Sequence, residues 1–156
     1  MDRLNDDMRL RSADVQDIEV ISRFNSEMAF ETEGISLDRN VLLFGVSAVI
    51  ADPNLGFYLI AEQAGAVIGQ VLITREWSDW RNGTFWWIQS VFVEPHHRNT
   101  GVYTKMYNKI VEMAVEERYV CGLRLYVDKG NVLAKKVYSR LGMSESHYDL
   151  FEYDLG

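Results

Sequence analysis

One stretch of this sequence leaves little freedom of fold. From Thr84 to Val93 the chain is aromatic and β-branched, as a long strand requires. Pro95 ends that strand, because proline has no N–H for a ladder. A polar turn follows, His96-His97-Arg98-Asn99-Thr100. Helical periodicity then resumes near Gly101, with Val102, Met106, Ile110 and Met113 or Ala114 on one face. A strand that runs through a polar turn into an amphipathic helix must stack the helix on a sheet, which points to a mixed α/β chain.

The rest of the chain supplies the other elements. Met8 to Arg11 reads as a short strand. Asp14 is a good N-cap, and Ile18, Ile21, Phe24 and Met28 recur at helical spacing to about Met28 or Phe30. Glu31-Thr32-Glu33-Gly34 breaks that helix. Asp38 opens a second one, carrying Val41, Leu42, Val46 and Val49, and Asp52-Pro53-Asn54 closes it. Gly56 to Glu62 and Val67 to Thr74 read as strands joined by a hairpin loop at Gln63-Ala64-Gly65-Ala66. Glu76 to Gly83 reads as a loop. Gly122 to Val127 is a further strand, Val132 to Leu141 a helix stopped by Gly142, and Tyr148 to Tyr153 a last strand. The expected order is β-α-α-β-β-β-α-β-α-β.

At 156 residues the chain has room for one compact domain, and no linker or repeat divides it. The net charge of -7 argues against a nucleic-acid partner, since backbone phosphates want a basic face. The single cysteine, Cys121, rules out an internal disulfide and a cysteine-cluster metal site, and its apolar neighbours predict a buried thiol. Three histidines without ligand spacing predict no metal. No stretch reaches membrane-spanning length, and the polar start Met1 to Asp7 resembles no signal peptide, so the expected location is the cytoplasm.

The turn before Gly101 is where chemistry is expected. The first N–H groups of a helix have no internal partners and can point at an anion. Gly101 permits close approach, Arg98 can add charge, and Thr100 and Thr104 can add hydroxyl donors. The pattern lacks the lysine ending of a P-loop and the glycine spacing of a dinucleotide fold.

The run Val91-Phe92-Val93 followed by Arg98-Asn99-Thr100-Gly101-Val102-Tyr103-Thr104 resembles the acetyl-CoA pyrophosphate loop of the GCN5-related N-acetyltransferase (GNAT) superfamily. That loop reads Gln/Arg-x-x-Gly-x-Gly/Ala. Arg98 and Gly101 match it, whereas Tyr103 stands where a small residue is usual. A second block, Asn131 to Met143, is similar to the family's Asn-x-x-Ala-x-x-x-Tyr-x-x-x-Gly-Phe region. The resemblance covers essentially the whole chain. It implies a single acyl-CoA N-acyltransferase domain over 1–156, with an ordered core at 8–156. The implied fold is α/β (α+β), a mixed, mostly antiparallel sheet with splayed parallel central strands and flanking helices.

The resemblance also implies an activity. Acetyl-CoA would be the co-substrate, with no metal. A primary amine would attack the thioester directly, through a tetrahedral intermediate. The main chain of Val91, Phe92 and Val93 would meet the pantetheine arm, and an N–H near Phe92 or Val93 would polarise the thioester carbonyl. Arg98 to Thr104 would hold the pyrophosphate, Asn131 and Ala134 would help position the cofactor, and Tyr138 would be the general acid near the sulfur. Glu31 and Glu94 are candidate bases, with Glu27, Glu33 and Asp79 considered beside them. Glu27, Glu31, Asp79, Trp80 and Trp87 are candidate acceptor residues, because aromatic faces beside carboxylates suit a cationic amine. Of the adjacent Trp86 and Trp87, one should be core and the other turned to a pocket or interface. The implied acceptor is a small-molecule amine, on the diamine or amino-acid side of the superfamily, and the implied assembly a homodimer. A protein or peptide acetyltransferase and a non-catalytic acyl-CoA sensor are the alternatives.

Overall fold

The computed structural model describes residues 7–156. Its contacts divide the chain into two compact units, residues 1–126 and 127–156.

The first unit is a five-stranded sheet with helices. Its strands are β1 (Met8–Ser12), β2 (Gly56–Gln63), β3 (Ala66–Ser78), β4 (Gly83–Val93) and β5 (Val120–Leu125). Its helices are α1 (Ile18–Glu33), α2 (Arg39–Ala51) and α3 (Val102–Glu116). The strands lie in sequence order, and all neighbours are antiparallel except the parallel pair β4–β5. This is the expected mixed, mostly antiparallel sheet with flanking helices.

Local chemistry sets most boundaries. Asp14 caps a 3-10 turn, Val15–Asp17, that feeds α1. α1 runs on to Glu33, beyond the expected Phe30, because nothing stops it before the left-handed Gly34. Asp38 accepts from the N–H groups of Asn40 and Val41 and so starts α2. The β2–β3 hairpin closes through two residues, Ala64 and Gly65.

Both sheet faces are covered. Ile21 of α1 and Val46 of α2 pack on Tyr58 and Ile60 of β2. Phe24 of α1 meets Phe92 of β4 with ring centroids 4.6 Å apart, and both are buried. On the other face Val102, Met106 and Ile110 of α3 are buried. Gly69 of β3 lets α3 approach, since a Cβ there would lie 3.2 Å from Val102 and 3.3 Å from Met106.

The second unit holds α4 (Val132–Arg140), followed by residues without helix or strand. Three expectations change. Tyr148 to Tyr153 is not a strand: its alternation is present, but the unit contains no strand to take its backbone groups. The segment expected as a loop from Glu76 is strand as far as Ser78, because Glu76, Trp77 and Ser78 pair with Phe85, Thr84 and Gly83. Cys121 is exposed, because β5 is the edge of its sheet.

Candidate functional site

Two backbone irregularities define the candidate site in the first unit. The first lies inside β4. Gln70 of β3 pairs with Phe92 and Leu72 pairs with Gln89, so Ser90 and Val91 together oppose one residue, Val71. This is a β-bulge, and Ser90 has a left-handed φ of 48°. The parallel pairing to β5 reaches only Ile88–Leu125. Among the described residues, no strand covers Gln89 to Val93 on that side. This stretch of main chain is open to pair with an extended ligand, and it contains Val91, Phe92 and Val93.

The second irregularity is the turn after β4. Asn99 and Gly101 both have left-handed φ, 62° and 87°. Gly101 is the N-cap of α3, and no side chain caps that helix. The Thr100 hydroxyl donates to the His97 carbonyl at 2.6 Å instead. With no side-chain cap, the peptide dipoles at the start of α3 face this turn, an arrangement that suits an anion. Tyr103 is half-buried, and its ring centroid lies 6.3 Å from that of Tyr107.

Arg98 does something other than reach into solvent. Its Nε donates to the Val93 carbonyl at 2.8 Å, and its Nη2 donates to both oxygens of Glu31, at 3.2 and 2.9 Å. Arg23 makes the parallel link, to Glu27 at 2.9 Å and to Glu94 at 3.0 Å. Two arginines thus tie α1 to the end of β4. Both candidate bases, Glu31 and Glu94, spend carboxylate lone pairs on guanidinium groups.

The aromatic residues separate. Trp86 is buried against Phe57. Trp87 lies on the opposite side of β4, half-buried, with its ring 4.5 Å from that of Tyr126. Arg124 joins this group, its guanidinium 3.6 Å from the Phe85 ring centroid and 2.7 Å from Glu76. Asp79 and Trp80 are not brought to it. They form the tip of the β3–β4 hairpin, beyond Gly83, at least four extended residues or about 13 Å along the strand from Trp87. Asp79 there accepts from the Trp80 N–H at 2.9 Å, and Trp80 is 88% exposed.

In the second unit, Asn131 caps α4 by accepting from the Ala134 N–H at 3.0 Å. Tyr138 is half-buried, and burial pushes its hydroxyl above the usual tyrosine range.

A fully buried polar set went unseen in the sequence. Gln70 is 0% exposed. Its Nε2 donates to Asn25 Oδ1 at 2.7 Å and to the Ser90 carbonyl at 3.1 Å. Asn25 in turn lies 3.5 Å from the Tyr58 hydroxyl. The available signal was faint: one amide in the apolar run Val67-Ile68-Gly69-Gln70-Val71-Leu72.

An open strand edge at a bulge, followed by a backbone anion cradle, is a suitable bed for a pantetheine arm and its pyrophosphate. The profile of the acetyltransferase (GNAT) family matches residues 18–143. The chain belongs to the GNAT family. It is an acetyl-CoA-dependent acetyltransferase, with acetyl-CoA as co-substrate. A possible acetyltransferase from Clostridium difficile 630 is 40% identical, with a TM-score of 0.90 over 95% of this chain and 97% of that one. A predicted acetyltransferase from Clostridium acetobutylicum, solved with acetyl-CoA, shares the fold at 24% identity, with a TM-score of 0.76 over 95% and 96% of the two chains. An aminoglycoside acetyltransferase from an uncultured soil sample, in complex with sisomicin, shares it at 14% identity, with a TM-score of 0.79 over 99% and 100%. No curated protein matches the chain in sequence. Among the described residues, no helix is long and apolar enough to cross a membrane, and no cluster of His, Cys, Asp and Glu could hold a metal.

Proposed function

We propose that this GNAT enzyme acetylates the primary amine of a small molecule. The observation that carries the reading is the Trp87–Tyr126 pair, 4.5 Å apart where β5 stops pairing with β4. Two flat rings at that point form a compact wall, which fits a small amine better than an extended peptide. Aromatic faces also attract an ammonium group before it loses its proton.

The co-substrate supplies an acetyl group activated as a thioester. The chain's residues orient it and manage the protons. Val91, Phe92 and Val93 offer main-chain groups to the pantetheine arm. The N–H groups at the start of α3 hold the pyrophosphate, with Asn99, Thr100 and Gly101 shaping the turn. Arg98 supports that turn from behind. As the amine attacks, its nitrogen forms the N–C bond, the C–S bond breaks and sulfur keeps the electron pair. The amine gives up a proton to water or a carboxylate, and Tyr138 gives one to the sulfur. Like any tyrosine, Tyr138 is protonated at neutral pH and so has a proton to give, and burial pushes its hydroxyl further above the usual range. Asn131 and Ala134 shape the start of α4 for the cofactor.

A screen of small amines and of peptide N-termini with acetyl-CoA, read as released CoA, tests the reading. The expected result is turnover with small amines. Turnover only with peptides overturns the acceptor class. Tyr138→Phe is expected to lower kcat about 10²-fold at saturating acceptor. An unchanged kcat removes Tyr138 from the mechanism.

A further inference from the structure

The Ser90 bulge is held by the Gln70 side chain. A serine at φ 48° sits in a region that side chains other than glycine rarely adopt, so the bulge needs support from outside its own strand. Gln70 gives that support. Its amide orientation is unambiguous, because the Ser90 carbonyl can only accept, so Nε2 must face it. Asn25 on α1 takes the second Nε2 proton and stops the amide from rotating. The Gln70 Oε1 is buried and finds no protein partner. The protein contacts of this amide run through its donor end.

The peptide plane converts this grip into an aim. Every peptide bond among the described residues is trans. In a trans peptide the C=O of Ser90 and the N–H of Val91 point in opposite directions. Holding the Ser90 carbonyl on Gln70 turns the Val91 N–H away from Gln70 and α1. β5 no longer pairs with β4 beyond Ile88, so among the described residues no strand claims that N–H on the open side.

We propose that Gln70 is a positioning residue for acetyl transfer: by gripping the Ser90 carbonyl it aims the Val91 N–H at the thioester carbonyl oxygen. This rests on the GNAT assignment and on acetyl-CoA lying along β4, and it is independent of which amine is the acceptor. It moves the expected donor from Phe92 or Val93 to Val91. Gln70 touches neither substrate. It acts through one carbonyl, and the donor it aims is strongest where negative charge develops on oxygen.

The test needs no known acceptor. Acetyl-CoA labelled with carbon-13 at the thioester carbonyl is bound to the enzyme, and the carbonyl stretch is read by infrared difference spectroscopy. In the wild-type enzyme the stretch should move to lower wavenumber than in water. In Gln70→Leu that shift should disappear, while the dissociation constant for CoA, which has no carbonyl at this place, stays within about twofold. With an amine from the screen, kcat should fall about 10²-fold and the KM for acetyl-CoA should change little. A carbonyl that stays polarised in Gln70→Leu overturns the proposal. So does a parallel loss of CoA affinity and kcat, which would mark Gln70 as a fold residue only. If Gln70→Leu does not fold, Gln70→Met with Ser90→Gly is compared, because glycine carries the positive φ unaided. A missing shift there supports the aim, and a full shift overturns it. Failure of the wild-type enzyme to bind labelled acetyl-CoA would instead sink the cofactor bed itself.

Discussion

β4 and the turn after it contain two kinds of left-handed residue, and they are stabilised differently. Gly101 opens α3 at the surface, and a Cβ there would meet nothing within 4 Å. Its conformation is supplied by the residue itself. Ser90 lies within a strand, and its conformation is held by Gln70 and, through Gln70, by Asn25. The first device is local and could be moved with its turn. The second requires β3, β4 and α1 together. The turn before α3 can therefore tolerate change around it, while the bulge depends on side chains distant in sequence.

Substitutions can break this contrast. Gly101→Glu should act most strongly, because it combines an unfavourable φ with a negative charge at a helix start. CoA affinity should fall by at least roughly 100-fold in a direct binding measurement. Asn25→Leu should come next. It leaves the Gln70 amide and the Tyr58 hydroxyl buried with a partner lost, and chemical unfolding should show about 2 kcal/mol less stability. A loss no larger than that of a surface substitution would mean the bulge holds itself. Gly101→Ala and Ser90→Gly form an opposed pair. The first should cost about 1–2 kcal/mol, since space is open and only the backbone objects. The second should be neutral or stabilise slightly, because the Ser90 strain disappears. Glu31→Gln should have the smallest effect, a few tenths of a kcal/mol, as expected for a half-exposed pair.

The same contrast explains what could be read from the sequence. Gly101, Pro95, Asp38 and Asp14 act on their neighbours, so element order and most boundaries follow from residue type. The Arg98 to Thr104 turn and the Asn131 cap are legible for that reason. Ser90 offers no such signal: serine is not a left-handed residue by habit, and nothing within five positions accounts for its φ. Gln70 and Asn25 read as ordinary polar residues, because their meaning lies in each other, 45 residues apart. The expected strand at Tyr148 to Tyr153 failed for the same reason in reverse. Its alternation is a local property, but a strand is a relation between two segments.

The pairing of Arg98 with Glu31 also makes the cradle a counterweight to changes in its medium. The guanidinium arrives at the turn with its charge already balanced, so the peptide dipoles at the start of α3 carry most of the attraction. Added salt weakens the hold of Glu31 on Arg98 and lends the turn a freer positive charge. The same salt shields the phosphates from that charge. The two effects oppose each other, and the hold of this turn on the proposed pyrophosphate should stay comparatively level as ionic strength drifts.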